Sequence, residues 1–473
     1  MSLPTPKGLQ KEVLALSPEG HTVVLGTAGS GKTTLAILRA HFLANAYCAS
    51  DEKVLLVTFN KALVTYLNSI SDTSLSNIEV RNYHRFARGY LSRRGLLNNH
   101  EIVPSTFRSR NVKMNLIKEA ILKAKNEEGD QPALNRNPET FFEEIKWIQK
   151  MGIDNLVNYE QAERIGRGGT RITRATRKYF YKVYENYLEL RKNSGYKYDW
   201  DDIANFVLAE MEKDNSKRYY KHIIIDEGQD FSPAMLRSLV KSVPSEGTVS
   251  YFGDVAQQIY GSRISWRQAG LLPPRIWSFE QNYRNTEQIA NIALAITKLP
   301  YFNEEPDLVI PKAPVASGPK PALIEFSKTS ELDWIVKQAI KQSERLTVAI
   351  LVRDRDTVRR IINKVNDNGV IVQELHGQMG QWNSQPSISV GTYHSAKGLE
   401  FDSVYLPYCT EHNLPSQDRI IALEDENEAM SEEIKLLYVA VTRARRGLII
   451  SYSGDNLTKL LPLNDGLYQE FNI

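Results

Sequence analysis

The sequence predicts an α/β protein built on mostly parallel sheets, and three observations carry that expectation. A short β-branched run, His21 to Leu25, leads into the glycine-rich octet GTAGSGKT and then into a helical pattern, TLAILRAHFLA. A second apolar run, HIIIDEGQD from His222 to Asp230, ends in carboxylates. Elsewhere strand-like runs alternate with helix-like ones, as crossover-connected parallel strands require.

The octet comes first in the chain and has the most definite chemistry. Gly26, Thr27, Ala28, Gly29, Ser30, Gly31, Lys32 and Thr33 form G-x-x-x-x-G-K-T in a strand–loop–helix context. Such glycines let backbone N–H groups turn inward onto phosphate oxygens, helped by the positive end of the following helix. Lys32 is expected to reach the β- and γ-phosphates, and Thr33 to offer its hydroxyl to Mg²⁺. The pattern therefore points to a nucleoside triphosphate. The Asp226-Glu227 pair closes the second strand, where open α/β sheets bind ligands. Asp226 is expected to hold the metal shell, and Glu227 to orient and deprotonate an attacking water. Almost 200 residues part the two motifs, so a large insertion must separate strands of one sheet.

Composition excludes other classes. Of 473 residues, 42% are hydrophobic and 24% charged, ordinary for a globular chain of about three domains. No run approaches the roughly 18 apolar residues of a membrane span. Cys48 and Cys409 are too few for a disulfide framework or a thiolate metal site. The N-terminus lacks a secretion pattern, so a cytoplasmic location is expected. The net charge of +3 is unevenly spread: Phe86 to Tyr198 carries 22 Lys and Arg against 13 Asp and Glu, leaving the remainder acidic. A basic block of this kind suits a polyanion.

Further motifs follow in order: VLLVTFNKAL (Val54 to Leu63), VRNYHRFA (Val80 to Ala87), FGDVAQQIY (Phe252 to Tyr260) and FEQNYRN (Phe279 to Asn285). VGTYHSAKGLEF (Val390 to Phe401) and LLYVAVTRAR (Leu437 to Arg445) complete the series. With the octet and DEGQD, the set resembles the UvrD/Rep/PcrA-type superfamily 1 DNA helicases. That resemblance implies two RecA-like domains with ATP cleaved between them. It assigns Gln10 to the adenine edge, Tyr283 to stacking on the base and Glu400 to the ribose, with Thr34 beside them. Arg284 would reach the γ-phosphate, Gln257 would link that phosphate to the nucleic-acid surface, and Arg443 would be the arginine finger. Phe59, Asn60, His84, Tyr260, Thr392 and His394 fall where the family contacts nucleic acid; aromatic faces suit single strands because every base can stack on them.

The chain also departs from the pattern. Thr34 stands where many relatives have an arginine, and Asn82-Tyr83-His84 replaces TFH. Gly261-Ser262 follows Tyr260 in place of a nearby tryptophan, which leaves Trp266 as a candidate substitute. The interval from Arg284 to Thr392 already holds strand and helix patterns such as LTVAILVRD, so it has no room for the family's large second insertion. The expected organisation is a first RecA-like domain from 1–85 and 199–278, a basic helical insertion over 86–198, and a second RecA-like domain over 279–473. The short stretch after Arg445 suggests no fused nuclease. The arginine- and glycine-rich stretch Arg164 to Arg177 reads as a flexible phosphate-contacting loop. Asp199 to Asp202 (DWDD) reads as a helix cap, and Leu423 to Lys435 as an acidic, solvated face.

The resemblance implies an ATP- and Mg²⁺-dependent translocase on single-stranded or tailed duplex DNA, moving 3′→5′ and unwinding duplex. Two other expectations stand beside it. One is a motor subunit that depends on a protein partner, such as a nuclease or a repair or defence factor. The other is a motor that tracks RNA.

Overall fold

The computed structural model describes residues 5–58, 77–104, 107–162, 172–254, 256, 266–302, 314, 316–327, 330–375, 385–463 and 466–473. It contains two sheets. The first takes β1 (Thr22–Gly26), β2 (Lys53–Thr58), β3 (Ile78–Asn82), β4 (Tyr220–Ile225), β5 (Thr248–Gly253) and β6 (Ile276–Phe279) in the order β3-β2-β4-β5-β1-β6. All neighbours run parallel. Alternate side chains enter different cores: Val23, Leu25, Leu55, Val57, Ile223 and Ile225 on one face, Val24, Val54, Leu56, Ile224 and Phe252 on the other. Burial on both faces explains why these strands read as continuous apolar runs.

The second sheet is also parallel throughout. It takes β7 (Ala322–Phe326), β8 (Thr347–Val352), β9 (Val372–Leu375), β10 (Ser387–Thr392), β11 (Phe401–Leu406), β12 (Ala444–Ser453) and β13 (Gln469–Asn472). Their order is β13-β7-β12-β11-β8-β10-β9. The strands and helices described between Arg284 and Thr392 are β7 to β10 and the helices Glu287–Thr297, Glu331–Ser343 and Arg355–Asp367. Ile289, Ile292 and Ile296 of the first helix, and Ile335, Val336, Val358 and Ile361 of the others, pack into the cores of this sheet. The compactness expected of this interval follows from that packing.

Between β3 and β4 lie the helices Phe107–Glu128, Pro138–Met151, Leu156–Gln161 and Arg174–Asn193. They have a core of their own, in which Phe141 and Phe180 stack at 4.5 Å. The boundary expected after residue 85 falls inside a helix, Tyr83–Arg93. Phe86, Ala87, Leu91, Leu97, Ile102 and Tyr198 share a core with β1, β2 and β4. Packing therefore keeps the chain with the first sheet to about residue 104.

Three local expectations need correction. Asp202 stands at the N-cap of helix Ile203–Met211, but its side chain makes no capping bond. Instead Asp199 and Asp202 are buried and bonded to insertion residues: Lys113 to Asp199 at 2.6 Å and Arg191 to Asp202 at 2.5 Å. The acidic run before β12 is not merely solvated, because Glu433 is buried and takes Arg353 in a two-pronged pair, with Nε and Nη2 at 2.6 Å from its two oxygens. Trp266 packs edge-on against Tyr251 with ring centres 4.9 Å apart, so it serves the first core.

Candidate active site

Because every pairing is parallel, the strand ends sort by chemistry. The carboxyl ends of β1 and β4 in the first sheet lead into the glycine loop and Asp226-Glu227, and β5 leads into Asp254. The second sheet presents the opposite ends of two strands: Lys397 and Glu400 precede β11, and Arg443 precedes β12. These edges face each other across the loop.

The loop's turns depend on glycine at two positions. Gly29 and Gly31 have φ of 75° and 83°, in the left-handed region that favours glycine. Gly29 also lies against the segment after β6: a Cβ there would come within 2.5 Å of the Arg284 Cβ. Tyr283 donates its N–H to the Gly29 carbonyl at 2.9 Å, and Thr27 donates to Phe279 at 3.1 Å. Lys32 is buried; its Nζ donates to the carbonyls of Gly26 and Thr27 at 2.8 and 2.7 Å and lies 3.9 Å from Asp254. Burial lowers its pKa despite the neighbouring carboxylates. Gln10 reaches the loop and donates to the Ser30 carbonyl at 2.8 Å.

The adjacent carboxylates are driven apart. Burial, then the charge of Glu227, pushes Asp226 up to about 7, against a hydrogen bond from Thr33. The Asp226 Oδ2 atom is buried without a hydrogen-bond partner. Burial also works against the charge of Glu227, but Lys397, Lys32 and Arg443 outweigh it and hold its pKa lowered. Glu227 adopts φ 53°, rare for a residue with a Cβ and a form of strain found at functional sites. Gln229 donates to its Oε2 at 2.5 Å. An orphaned, buried carboxylate oxygen beside a threonine hydroxyl fits a hard, oxygen-seeking cation. Among the described residues no cluster of three or more His, Cys, Asp or Glu side chains could hold a metal by itself. Mg²⁺ needs no such cage, since it is commonly held by one or two carboxylates together with substrate phosphates.

Arg284, in the segment after β6, pairs at 2.7 Å with Glu400, which precedes β11 of the second sheet. Arg284, helped by Arg445 and Arg443, keeps the Glu400 carboxyl low against burial. Arg443 is buried, with its guanidinium donating to the carbonyls of Val439 at 2.9 Å and Leu399 at 3.2 Å. Burial, then the charge of Arg284, brings Arg443 down to about 10. A cavity of about 280 Å³ beside the loop is lined by Gln10, Gly29, Gly31, Thr34, Tyr283, Arg284, Glu400 and Arg445, among others. Tyr283 is 56% exposed there, which leaves its ring face open to a ligand.

Some of these groups escaped the sequence reading. Lys397 and Asp230 form a buried pair at 2.5 Å that joins the DEGQD turn to the second sheet. Asn285 donates to the carbonyls of Thr442 and Ala444, and Asn282 accepts from the N–H groups of Arg284 and Asn285, so the Tyr283-Arg284 segment is fixed from both sides. Arg445 also lines the cavity. The sequence hint for all of them was their place inside motifs already singled out.

The expected nucleic-acid residues are less gathered. His84 packs edge-on against Trp200 with ring centres 5.0 Å apart. Thr392 ends β10, and its N–H donates to Ser395 Oγ at 2.8 Å. Burial and the charges of Arg353, Lys397, Lys146 and Arg419 drive His394 down to about 3, which keeps it neutral. Gln257, Phe59, Asn60, Tyr260 and the stretch 163–171 lie outside the described residues. Arg177, at the end of the arginine-rich stretch, is buried and donates to the carbonyls of Tyr159, Glu160 and Ala162 at 2.7, 2.7 and 2.8 Å. It caps helix Leu156–Gln161 and is no surface phosphate contact.

Fold and site together define a P-loop NTPase whose nucleotide cleft is shared by two RecA-like α/β units. The UvrD/REP helicase N-terminal domain model matches residues 7–283, and the UvrD-like helicase C-terminal domain model matches 375–455. The chain belongs to the UvrD/REP helicase family. It is 24% identical to a probable DNA helicase of Mycoplasma pneumoniae, with 91% of this chain and 80% of that protein covered. Identity to the ATP-dependent DNA helicase srs2 of Schizosaccharomyces pombe is 25%, covering 76% of this chain and 43% of the relative. Human TPR and ankyrin repeat-containing protein 1 is 25% identical over 66% of this chain, which corresponds to 12% of its own length. The chain thus spans less than half the length of the yeast and human relatives.

Proposed function

We propose that the chain is an ATP-driven translocase on single-stranded DNA that unwinds duplex in the 3′→5′ direction. The observation that carries this reading is the convergence of groups on one glycine loop: Lys32, Asp226 and Glu227 beside the first sheet, Lys397, Glu400 and Arg443 beside the second, and Arg284 from the segment that links the two. A cleft shared in this way changes shape when its ligand changes.

The roles follow from the chemistry of each group. Lys32 exchanges its two carbonyl partners for phosphate oxygens. Gln10, Thr34, Tyr283 and Glu400 line the cavity that would take the nucleoside. Thr33 and Asp226 would hold Mg²⁺, which supplies positive charge to the phosphates when bound. Glu227, kept ionised by Lys397, Lys32 and Arg443, accepts a proton from water. That water's oxygen attacks the γ-phosphorus, the bond to the β-phosphate oxygen breaks, and ADP leaves. Arg284 and Arg443 add positive charge where the transition state gathers negative charge. Loss of the γ-phosphate removes their shared partner, which frees the units to separate.

The mechanical units in this reading are RecA-like domains at 1–85 with 199–278 and at 279–473, with the insertion over 86–198. Packing shifts the insertion's first edge toward residue 104. Thr392, His394 and His84, with Phe59, Asn60, Tyr260 and Gln257, would form the strand track.

Strand displacement on duplexes with a 3′ or a 5′ tail tests the direction. Unwinding from the 3′ tail alone is expected; unwinding from the 5′ tail would overturn the polarity. Glu227→Gln should bind ATP without turning it over, and retained hydrolysis would remove Glu227 from the role of base.

A further inference from the structure

The insertion helix Pro138–Met151 touches both motor units, and its two ends differ in kind. It starts at Asn137, whose side chain accepts from the Glu139 N–H, with Pro138 at the first position, and it stops at Gly152 in the left-handed region. Fourteen residues make it about 21 Å long. The carboxyl end is built into the first unit. Arg237 donates to the Met151 carbonyl at 2.6 Å, Asn205 to the Gln149 carbonyl at 2.8 Å, and Gln149 Nε2 to Asp202 at 3.1 Å. A Cβ on Gly152 would come within 2.6 Å of the Arg237 guanidinium, so this joint is tight.

The amino end rests on the second unit through charged side chains. Glu424 takes Arg136 Nε at 2.8 Å and the Thr140 hydroxyl at 2.7 Å, while Arg419 pairs with Glu143 at 2.9 Å and with Glu432 at 2.6 Å. Arg136, Glu424 and Arg419 keep 19%, 32% and 20% of their side-chain surface in solvent. Glu424 holds φ 54° at the end of helix Gln417–Leu423, a conformation costly for a residue with a Cβ. The Arg136–Glu424 pair, which reaches solvent on both sides, parts at less cost than the Arg419–Glu143 pair, whose carboxylate is buried, or than the neutral and charged bonds that seat the carboxyl end.

We infer that helix Pro138–Met151 is a strut, fixed to the first motor unit and latched electrostatically to the second, whose latch must part for the nucleotide cleft to open. Its gating of the nucleotide rests on the ATP reading above; the latch itself does not. Near its fixed end, the charge of Lys150 bears on Asp230, the partner of Lys397.

The test uses charge reversal in the whole chain: Arg136→Glu, Glu424→Arg, and the two together. Glu424→Arg leaves in place the packing of Arg136 over the Phe180 ring, so loss of that contact cannot mimic loss of the latch. Fluorophores at the exposed Leu122 of the insertion and Ile371 of the second unit report the distance between them. Each single reversal should lengthen and broaden that distance, and the double should restore it. Release of a fluorescent ADP should quicken by about tenfold in the singles, the scale expected for losing two charge-assisted bonds, and return to normal in the double. An unchanged distance in both singles would overturn the proposal, as would a double variant that matches wild-type thermal unfolding without restoring the distance. If wild type fails to bind the nucleotide, the ATP reading falls while the distance arm still decides the latch.

Discussion

The hub around Asp199 and Asp202 and the cleft around Asp226 and Glu227 both bury neighbouring carboxylates beside cations. In the hub the protein saturates them. Lys113 and Tyr187 bond Asp199 Oδ2, and the Asp201 N–H bonds its Oδ1. Arg191 and Gln149 bond Asp202 Oδ2, and the Asp199 N–H bonds its Oδ1. In the cleft, Asp226 Oδ2 and the Thr27 hydroxyl are buried without partners, and Lys32 rests on backbone carbonyls of its own loop. Burial costs a charge or a dipole the same in either place, so the difference is in what is meant to repay it. In the hub the fold itself repays most of that cost, although burial still pushes Asp202 up to about 6 against the charge of Arg191, and the hub joins the insertion to the first sheet. Repayment in the cleft has to come from a ligand.

Substitutions should break that contrast in opposite ways. The largest effect belongs to the cleft: Lys32→Ala should abolish nucleotide turnover while leaving the unfolding midpoint near that of wild type, as steady-state hydrolysis and thermal melting would report. A large loss of stability would make Lys32 structural. Next comes the hub, where Arg191→Ala leaves Asp202 buried without its cation. A cost of about 3–5 kcal/mol in denaturant unfolding is expected for one partner of a buried pair. A change below 1 kcal/mol would mean that the hub is not the joint described here.

How much of this could be read from the sequence depended on how local each contact was. The glycine loop is confined to eight residues, and its spacing alone defines what it holds. Asp226 and Glu227 were legible because a strand end places adjacent residues predictably. Arg284, Glu400 and Arg443 came only through the resemblance, since their meeting depends on how two sheets face each other. The Asp230–Lys397 pair spans 167 positions and has no local signature. The DWDD segment lacks a local signature for the same reason: its acids look like a cap until Lys113, Gln149 and Arg191 arrive from three other helices. Arg177 looked like part of a phosphate loop because a sequence does not show that three carbonyls wait for it.

Two smaller predictions sharpen the contrast within the insertion. Arg177→Gln should cost about 1–3 kcal/mol by leaving buried carbonyls unsatisfied, without altering the salt slope of single-strand binding. A flattened slope would return Arg177 to the phosphate contacts. The last concerns pH. Burial alone would raise the Asp199 carboxyl, but Lys113 and Arg191 outweigh it and hold its pKa lowered in the folded state. The stability it contributes is therefore present above the ordinary aspartate value of about 3.9 and is lost as pH falls below it. Asp199→Asn should be less stable than wild type at neutral pH, and the gap should narrow on acidification below about pH 4. A gap that stays constant down to pH 3 would remove Asp199 from acid unfolding.

ATP hydrolysis by the purified chain, measured with and without single-stranded DNA and with Lys32→Ala as the blank, tests most directly whether this cleft drives movement on a strand. The two-sheet site predicts strong stimulation by the strand and none in the blank. ATP that binds but is hydrolysed equally slowly with and without DNA would contradict a self-sufficient DNA motor.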